Sequence, residues 1–468
     1  MGVSLSLHRS ILAYARKLPE TGSGWYRKGR LLIATRCFYQ KGGNTTISKC
    51  KPAEVNVESA KFNLPAVFRA FSKGKLGRAD FRRELIKTGY ITKKELALER
   101  LDKHGCMPKT ARAIRAYDEE LTACIVRRDL NLLPIRCFQR VDGLTQKLRD
   151  ICQESPKQQV MEYIAVEALH PLFRAKFLPV QYGSVPGRGQ ALGKRKIERI
   201  LRKKLTGKTD VAKGDVKKAY PSVTVECVMR LLRKDIGKNK VLLWFVAALM
   251  ENYPGGHLCI GSYLSTWLFN YVMSYVLRYI LSLEQCRRGK SDRYVKALVC
   301  YADDTSIYGR FSQLVKVIKK ATRWAKAALG LNLKPAWQVY HIASFEEEKA
   351  MKELRKAGCH KRTDGVDMMG FVVRRTYTII RSRVFHRIRR QTLRAWDDVK
   401  RLGFLPWWRA ARIAAYKGWV KYSDSVHFSV KYSFSKLLQL ARVSVSQHNR
   451  KEIIKHEQRI LREAACCC

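Results

Sequence analysis

The chain has 468 residues, 46% of them hydrophobic, which is enough for a folded protein with a substantial core and argues against intrinsic disorder. Lys and Arg number 92 against 39 Asp and Glu, so the formal net charge is +53. This charge favours nucleic acid as the partner, ahead of an anionic membrane. No apolar run reaches the roughly 20 residues of a membrane span. We therefore expect a cytoplasmic protein without a membrane partner.

The first 130 residues are basic, and apolar residues recur at helical spacing in 5–18 and 66–90. They predict a basic helical N-terminal extension. The 14 cysteines of the chain form no C-x-x-C pair, so we expect reduced thiols and assign no role to residues 466–468.

Residues 134–140 are strand-like, and polar and apolar residues alternate over 146–152. The alternation places Lys147 and Arg149 on one strand face, where two cations suit a triphosphate; an ordinary solvated face is the alternative. A helix is predicted from Pro156 to about residue 170. The glycine-rich segment 183–190 follows, and Arg188 and Gly189 in it could approach a phosphate backbone closely.

A basic helix over 197–208 leads into a strand that ends at Asp215. The chain turns at Pro221 and continues as a helix over 224–235, with Tyr220 in the turn. A second helix is predicted over 241–251. The following glycine and hydroxyl loop contains Gly261 and Ser262 and opens a long helix over 267–283.

Asp303 and Asp304 interrupt an apolar run between two short strands, 298–300 and 306–308. Paired carboxylates repel each other and resist burial, so this pattern predicts a hairpin with a divalent cation at its tip. An exposed turn is the alternative, because Asp favours turns.

The last part of the chain is predicted to be mainly helical. After a helix over 311–330, a strand delivers Lys334, and residues 367–381 form a hairpin. Arg383 and Arg387 lie on a helix over 383–401, and further helices cover 406–420 and 435–442.

This order of elements resembles the reverse transcriptases over roughly residues 130–440. Tyr301-Ala302-Asp303-Asp304 is similar to their Tyr-x-Asp-Asp box, and the segment from Asp215 to Tyr220 is similar to their first palm motif. The resemblance implies an α+β right-hand polymerase with fingers, a palm built on an antiparallel sheet and a helical thumb. We expect the N-terminal extension over 1–130, fingers and palm over 131–375, and thumb and tail over 376–468.

The resemblance also implies roles for single residues. The metal site holds two Mg²⁺ ions, with Mn²⁺ as a substitute, and its expected ligands are Asp215, Val216, Asp303 and Asp304. Lys334 is expected near the leaving pyrophosphate, and Tyr220 as the residue that excludes a 2′-hydroxyl. The expected nucleotide contacts are Lys147, Arg149, Tyr220, Gly261 and Ser262. The expected primer grip is Met369, Gly370 and Phe371, and the expected nucleic-acid contacts are Arg188, Gly189, Arg383 and Arg387.

One position departs from the family pattern: Ile260 replaces the Gln of the Gln-Gly-x-x-x-Ser loop. The Ile form resembles diversity-generating retroelement enzymes and some other bacterial groups. We expect an antiphage defence reverse transcriptase that copies a dedicated structured noncoding RNA, with dNTPs as substrates and DNA as product. The alternatives are a diversity-generating retroelement enzyme, a group II intron-like enzyme and an inactive basic RNA-binding scaffold. The sequence leaves open whether the protein forms a homo-oligomer.

Overall fold

The computed structural model describes residues 55–101, 107–141, 148–203, 207–359 and 363–465. Lys147, the helix predicted over 5–18 and the cysteines 466–468 lie outside these ranges. Within them, no helix has the length and apolar character needed to cross a membrane.

The N-terminal extension consists of four helices in the described residues. They are α1 (Ala60–Ser72), α2 (Ala79–Lys87), α3 (Lys93–Leu101) and α4 (Pro108–Val126). The helix expected over 66–90 is broken, because Gly74 takes a φ of 86° and a 3-10 turn follows it. Val67, Phe71 and Ile114 are buried in the same apolar cluster as the rest of the N-terminal half, so residue 130 does not separate two cores.

A two-stranded antiparallel ribbon follows, made of β1 (Arg136–Val141) and β2 (Leu148–Gln153). Helix α5 (Pro156–Lys176) begins where Ser155 accepts a hydrogen bond from the Gln158 amide, and it packs against α1. Helix α6 (Gln190–Arg202) starts earlier than the helix predicted over 197–208.

A four-stranded antiparallel sheet occupies the middle of the molecule, in the order β6-β7-β3-β8. Its strands are β3 (Asp210–Gly214), β6 (Ala297–Tyr301), β7 (Asp304–Gly309) and β8 (Gln338–His341). Adjacent residues of one strand are buried in two different apolar clusters. Ala212 and Ile307 belong to the cluster that also contains Val67 and Phe71, whereas Val211 and Tyr308 belong to a second cluster. Both faces of the sheet are therefore buried, which explains the continuous apolar runs.

Helices surround this sheet. The chain adds α7 (Val225–Ile236), α8 (Lys240–Glu251), α9 (Tyr263–Ser282) and α10 (Phe311–Leu329), and α10 packs on β3, β7 and α9. A small polar hairpin of β4 (Glu284–Arg287) and β5 (Lys290–Arg293), which the sequence pattern does not predict, lies between α9 and β6.

After β8 and α11 (Phe345–Lys356), a second antiparallel sheet forms, with the order β11-β10-β9. It contains β9 (Val366–Met368), β10 (Phe371–Val373) and β11 (Thr378–Ile380). It has one strand more than the predicted hairpin, and the expected boundary at residue 376 falls inside it.

Four helices complete the described chain: α12 (Ser382–Leu402), α13 (Trp407–Lys421), α14 (Val426–Lys431) and α15 (Phe434–Ala465). Helix α15 extends far beyond the predicted 435–442. It packs on α13 and reaches back to α3, where Arg100 Nη2 lies 2.7 Å from His456 Nε2.

Candidate active site

The tip of the β6–β7 hairpin carries two of the predicted acids. Tyr301 pairs with Asp304, so only Ala302 and Asp303 form the turn. Ala302 has a φ of 55°, which is uncommon for a residue with a side chain. Gly183 lies against the turn, and a Cβ there would come within 2.3 Å of the Ala302 nitrogen. The hairpin with the acids at its tip is therefore confirmed, and a glycine from a distant loop supports it.

Asp215 reaches the same end of the sheet from another strand. The last pair between β3 and β7 is Gly214 with Thr305, so Asp215 continues the register to a position opposite Asp304. The Trp337 indole covers Gly214, and a Cβ at Gly214 would lie 2.5 Å from that ring. Glycine at this position thus allows Trp337 to pack directly behind the acids.

Burial and mutual repulsion act on the carboxylates. The pKa of Asp303 is raised, mainly by burial and also by the charge of Asp215. Burial raises the pKa of Asp304 to about 6, although its ion pair with Lys213, 3.5 Å away, opposes the shift.

A cation already lies beside Asp215. The Lys334 ammonium donates to Asp215 Oδ2, and the Lys334 amide donates to the Asp215 carbonyl at 2.9 Å. The predicted strand at Lys334 is a single bridge between Val216 and Leu333. In the part of the chain that the structure describes, no three His, Cys, Asp or Glu side chains form a ready metal cluster. The acid set nevertheless fits hard cations, because carboxylates are the donors that Mg²⁺ takes, and the pKa values of Asp303 and Asp304 are raised despite the neighbouring lysines. The Val216 side chain is buried and apolar, so only its main-chain carbonyl could join them.

Tyr220 lies in the turn after Asp215. Its ring stacks on Phe269, with the centroids 5.1 Å apart, and its hydroxyl is 3.5 Å from Thr266 Oγ1. Burial raises the pKa of Tyr220, and the charge of Asp303 adds to the shift. The ring is therefore held close to the acids.

The loop around Gly261 joins the β1–β2 hairpin. The Cys152 amide donates to the Ile260 carbonyl at 2.8 Å, and a Cβ on Gly261 would come within 2.2 Å of the Cys152 carbonyl oxygen. Arg149 lies on β2, and its charge lowers the pKa of Asp303, against the rise from burial. Strand β2 thus carries both the contact with the Gly261 loop, at Cys152, and Arg149, whose charge acts on Asp303.

Ser262 has its hydroxyl engaged inside the protein. Its side chain is 3% exposed, caps α9 by accepting from the Ser265 amide at 3.0 Å, and donates to Glu162 at 3.0 Å. Nucleotide contact at Ser262 stays a prediction, and it would need the main chain.

Glu162 is a residue that the sequence reasoning missed. It accepts from the Tyr253 hydroxyl at 2.7 Å and from the Leu264 amide at 3.0 Å, and so fixes the start of α9. A carboxylate flanked on both sides by apolar residues of α5 was the available signal, although Glu167 in the same helix has similar neighbours. Burial and the charge of Glu162 raise the pKa of the neighbouring Glu154 to about 10.

The predicted primer grip is a tight turn between β9 and β10. Met369 and Gly370 have φ values of 54° and 76°, and a Cβ on Gly370 would lie 2.3 Å from the Trp419 ring. Phe371 is buried against the same ring. Arg381 donates to the Asp367 carboxylate at 2.6 Å, and its charge lowers the pKa of Asp304, against the rise from burial. The turn is therefore connected to the acid site.

The predicted nucleic-acid contacts are dispersed. Arg188 donates to the main-chain carbonyl of Gln181 at 2.9 Å and holds its own loop, and Gly189 precedes α6. Arg383 is exposed and Arg387 is half-buried on α12. Their contacts with nucleic acid stay predictions.

Residues 140–372 match the family model described as reverse transcriptase (RNA-dependent DNA polymerase). The matched region begins in β1 and ends in β10, and it includes all three acids. No curated protein matches the chain.

Proposed function

Because this chain belongs to the reverse transcriptases and is an RNA-directed DNA polymerase, a nucleotidyltransferase, we propose that Asp215, Asp303 and Asp304 form its metal site. Reverse transcriptases adopt a right-hand polymerase fold, copy an RNA template into DNA from dNTPs and use divalent metal ions. The observation that carries the proposal is the position of the three acids at one end of the central sheet, where Asp215 follows β3 opposite Asp304 and Asp303 forms the β6–β7 turn.

The proposed ions are two Mg²⁺, with Mn²⁺ as a substitute and the Val216 carbonyl as a further ligand. When bound, they lower the pKa of the primer hydroxyl and balance charge on the departing pyrophosphate. Burial and repulsion oppose ionisation of Asp303 and Asp304 in the protein alone, which is the electrostatic arrangement expected of a site built for added cations.

The cationic side chains contribute binding and proton transfer. The Lys334 ammonium donates a hydrogen bond to the Asp215 carboxylate. It is proposed to donate a proton to the pyrophosphate as it departs. Arg149 binds the triphosphate from β2. Lys147, which lies outside the described residues, is proposed to bind it as well. Positioning and charge neutralisation supply most of the catalysis in phosphoryl transfer, so these residues need not react covalently.

The remaining predicted residues are proposed to place the substrates. Tyr220 excludes the 2′-hydroxyl of a ribonucleotide, and the main chain at Gly261 and Ser262 approaches the nascent base pair. Met369, Gly370 and Phe371 hold the primer. Arg383 and Arg387 of α12 contact the backbone of the duplex, as does the loop at Arg188 and Gly189.

Primer extension on an RNA template tests the acid site. Asp303→Ala with Asp304→Ala is expected to abolish Mg²⁺-dependent dNTP incorporation, while RNA binding persists. Asp292→Asn is the matched control, because Asp292 is an exposed, ion-paired aspartate on β5, away from the acid site. Extension by the double variant at the native rate would overturn the proposal.

We further propose that the template is a dedicated structured noncoding RNA and that the enzyme acts in antiphage defence. The basic N-terminal extension supports this role, whereas the Ile260 form of the loop favours a diversity-generating retroelement enzyme as the second candidate. Sequencing the nucleic acid that co-purifies with the protein decides between them. One noncoding RNA with its complementary DNA supports defence, whereas a variable repeat of a target gene supports the retroelement role.

A further inference from the structure

Two cysteines face each other across the β1–β2 hairpin. Cys137 and Cys152 are directly paired in the antiparallel register, and their sulfur atoms are 3.4 Å apart. Paired residues of antiparallel strands have Cα atoms about 4.5–5.5 Å apart, which lies within the range that a disulfide spans. A small rotation of the side chains would bring the sulfurs within bonding distance.

The two thiols differ in exposure, which assigns the order of their reactions. Cys137 is exposed, whereas Cys152 is 9% exposed and burial raises its pKa to about 11. Cys137 is thus the accessible sulfur, and Cys152 is the resolving one.

Apart from the contact of Cys152 with the Gly261 loop, the hairpin has little other support. It is a two-stranded sheet, every residue of β1 is exposed, and residues 148–150 of β2 are exposed as well. Ribbons of two strands are marginally stable in water. A covalent bond between Cys137 and Cys152 would therefore restrict it strongly.

We propose that Cys137 and Cys152 are a reversible thiol–disulfide site that sets the rigidity of the β1–β2 hairpin. The oxidant is a low-molecular-weight disulfide such as oxidised glutathione. The Cys137 thiolate attacks it, forming a mixed disulfide and releasing one small thiolate. The Cys152 thiolate then attacks the Cys137 sulfur and expels the second small thiolate. Two protein thiols are oxidised, the small disulfide is reduced to two thiols, and the two protons given up by the cysteines end on them.

The linkage is measured by equilibrating the reduced full chain in a glutathione redox buffer, trapping free thiols and mapping peptides by mass. We expect a linked Cys137–Cys152 peptide that a dithiol reductant cleaves. Cys286 is the control, because it is exposed on β4 but lies opposite Ser291. A stable glutathione adduct on Cys137, as on Cys286, or a bond from Cys152 to the nearby Cys259, would overturn the proposal.

Amide hydrogen exchange measures the rigidity. In the oxidised chain we expect exchange in β1 and β2 to slow by roughly tenfold to a hundredfold, since the bond closes a short loop. Cys137→Ser in the same buffer should show no change. Equal exchange rates in the linked and reduced protein would contradict the proposal.

A consequence for nucleotide handling rests on the proposed function, because Arg149 lies on β2 between the hairpin tip and Cys152. Oxidation should change the KM for dNTPs at least about twofold in the native enzyme and leave it constant in Cys137→Ser. An unchanged KM in the linked enzyme would overturn this consequence. Linkage and exchange are measured without catalysis, so they distinguish a failure of the disulfide from a failure of the polymerase assignment.

Discussion

Asp118 is a buried acid within the N-terminal helices. Its side chain is 1% exposed, Oδ1 has no hydrogen-bond partner among the described residues, and burial raises its pKa to about 7. An unfolded aspartate titrates near pH 4. Between about pH 4 and 7 the unfolded chain releases a proton that the folded chain keeps, so this residue lowers the free energy of unfolding as the pH rises.

Asp118→Asn should therefore raise stability at pH 8 relative to pH 4, with the gain accumulating between these values at up to about 1.4 kcal/mol per pH unit. Denaturant unfolding of both proteins across that range measures it. Asp129→Asn, at an exposed aspartate just after the same helix, is the control for the substitution itself and should change the free energy of unfolding much less than Asp118→Asn. A gain that is independent of pH would contradict the assigned cause.

Tyr220 provides a second prediction at this scale. Tyr220→Ala removes the ring that stacks on Phe269 near Asp303, so the sugar of the incoming nucleotide should be selected less strictly. We expect discrimination against ribonucleotides, measured as the ratio of kcat/KM values, to fall by roughly tenfold or more. Tyr220→Phe keeps the ring and should keep the discrimination. Equal ratios for the alanine variant and the native enzyme would contradict a steric role for Tyr220 in excluding ribonucleotides.

The place of Asp303 and Asp304 at the tip of a hairpin could be predicted, whereas the contacts that support the surrounding loops could not. Asp303 and Asp304 stand out because charges within an apolar run need a reason. Glu162 and Ser262 lie 100 positions apart, and no local pattern pairs them. Trp337 over Gly214 is a tertiary contact of the same kind.

At the scale of elements, the contact between β2 and the Gly261 loop is the one that a substitution can break selectively. Gly261→Ala would need a φ of 119° and a Cβ 2.2 Å from the Cys152 carbonyl oxygen. We expect faster amide exchange at Cys152, loss of primer extension and a stability cost of roughly 1–3 kcal/mol.

Gly289→Ala is the matched control, because Gly289 also has a positive φ of 69° but has nothing within 4 Å. If both variants lose primer extension equally, the backbone conformation and not the contact with β2 is responsible.

Continuous apolar runs predicted β3, β6 and β7 of the central sheet, because both faces of the sheet are buried, and hydrophobic periodicity predicted the helices around it. It missed the β4–β5 hairpin, because residues such as Glu284 and Arg293 are polar and the strands have no apolar face. It also shortened α15, because charged and other polar residues dominate its second half and leave only a weak apolar stripe there.

At the scale of the whole molecule, the net charge of +53 makes a prediction about binding. RNA affinity should fall steeply with salt, by roughly a thousandfold between 50 and 200 mM, because bound cations of the RNA are released. Filter binding or anisotropy over a salt series measures the slope. The Asp303→Ala, Asp304→Ala protein should keep the same slope, since those acids neutralise no phosphate. Affinity that is independent of salt would contradict a mainly electrostatic interface.

The contact between α3 and α15 has a consequence for biosynthesis. Arg100 and His456 are 356 positions apart in sequence, yet their side chains touch. As the chain leaves the ribosome, the N-terminal helices can pack on α5 long before α15 is made, because domains fold as their segments emerge. The side of α3 that contacts α15 then stays exposed until α15 has been synthesised, because Arg100 and His456 are 356 positions apart. Completion of the N-terminal extension is thereby coupled to α15, and a nascent chain that stops before α15 leaves this surface uncovered.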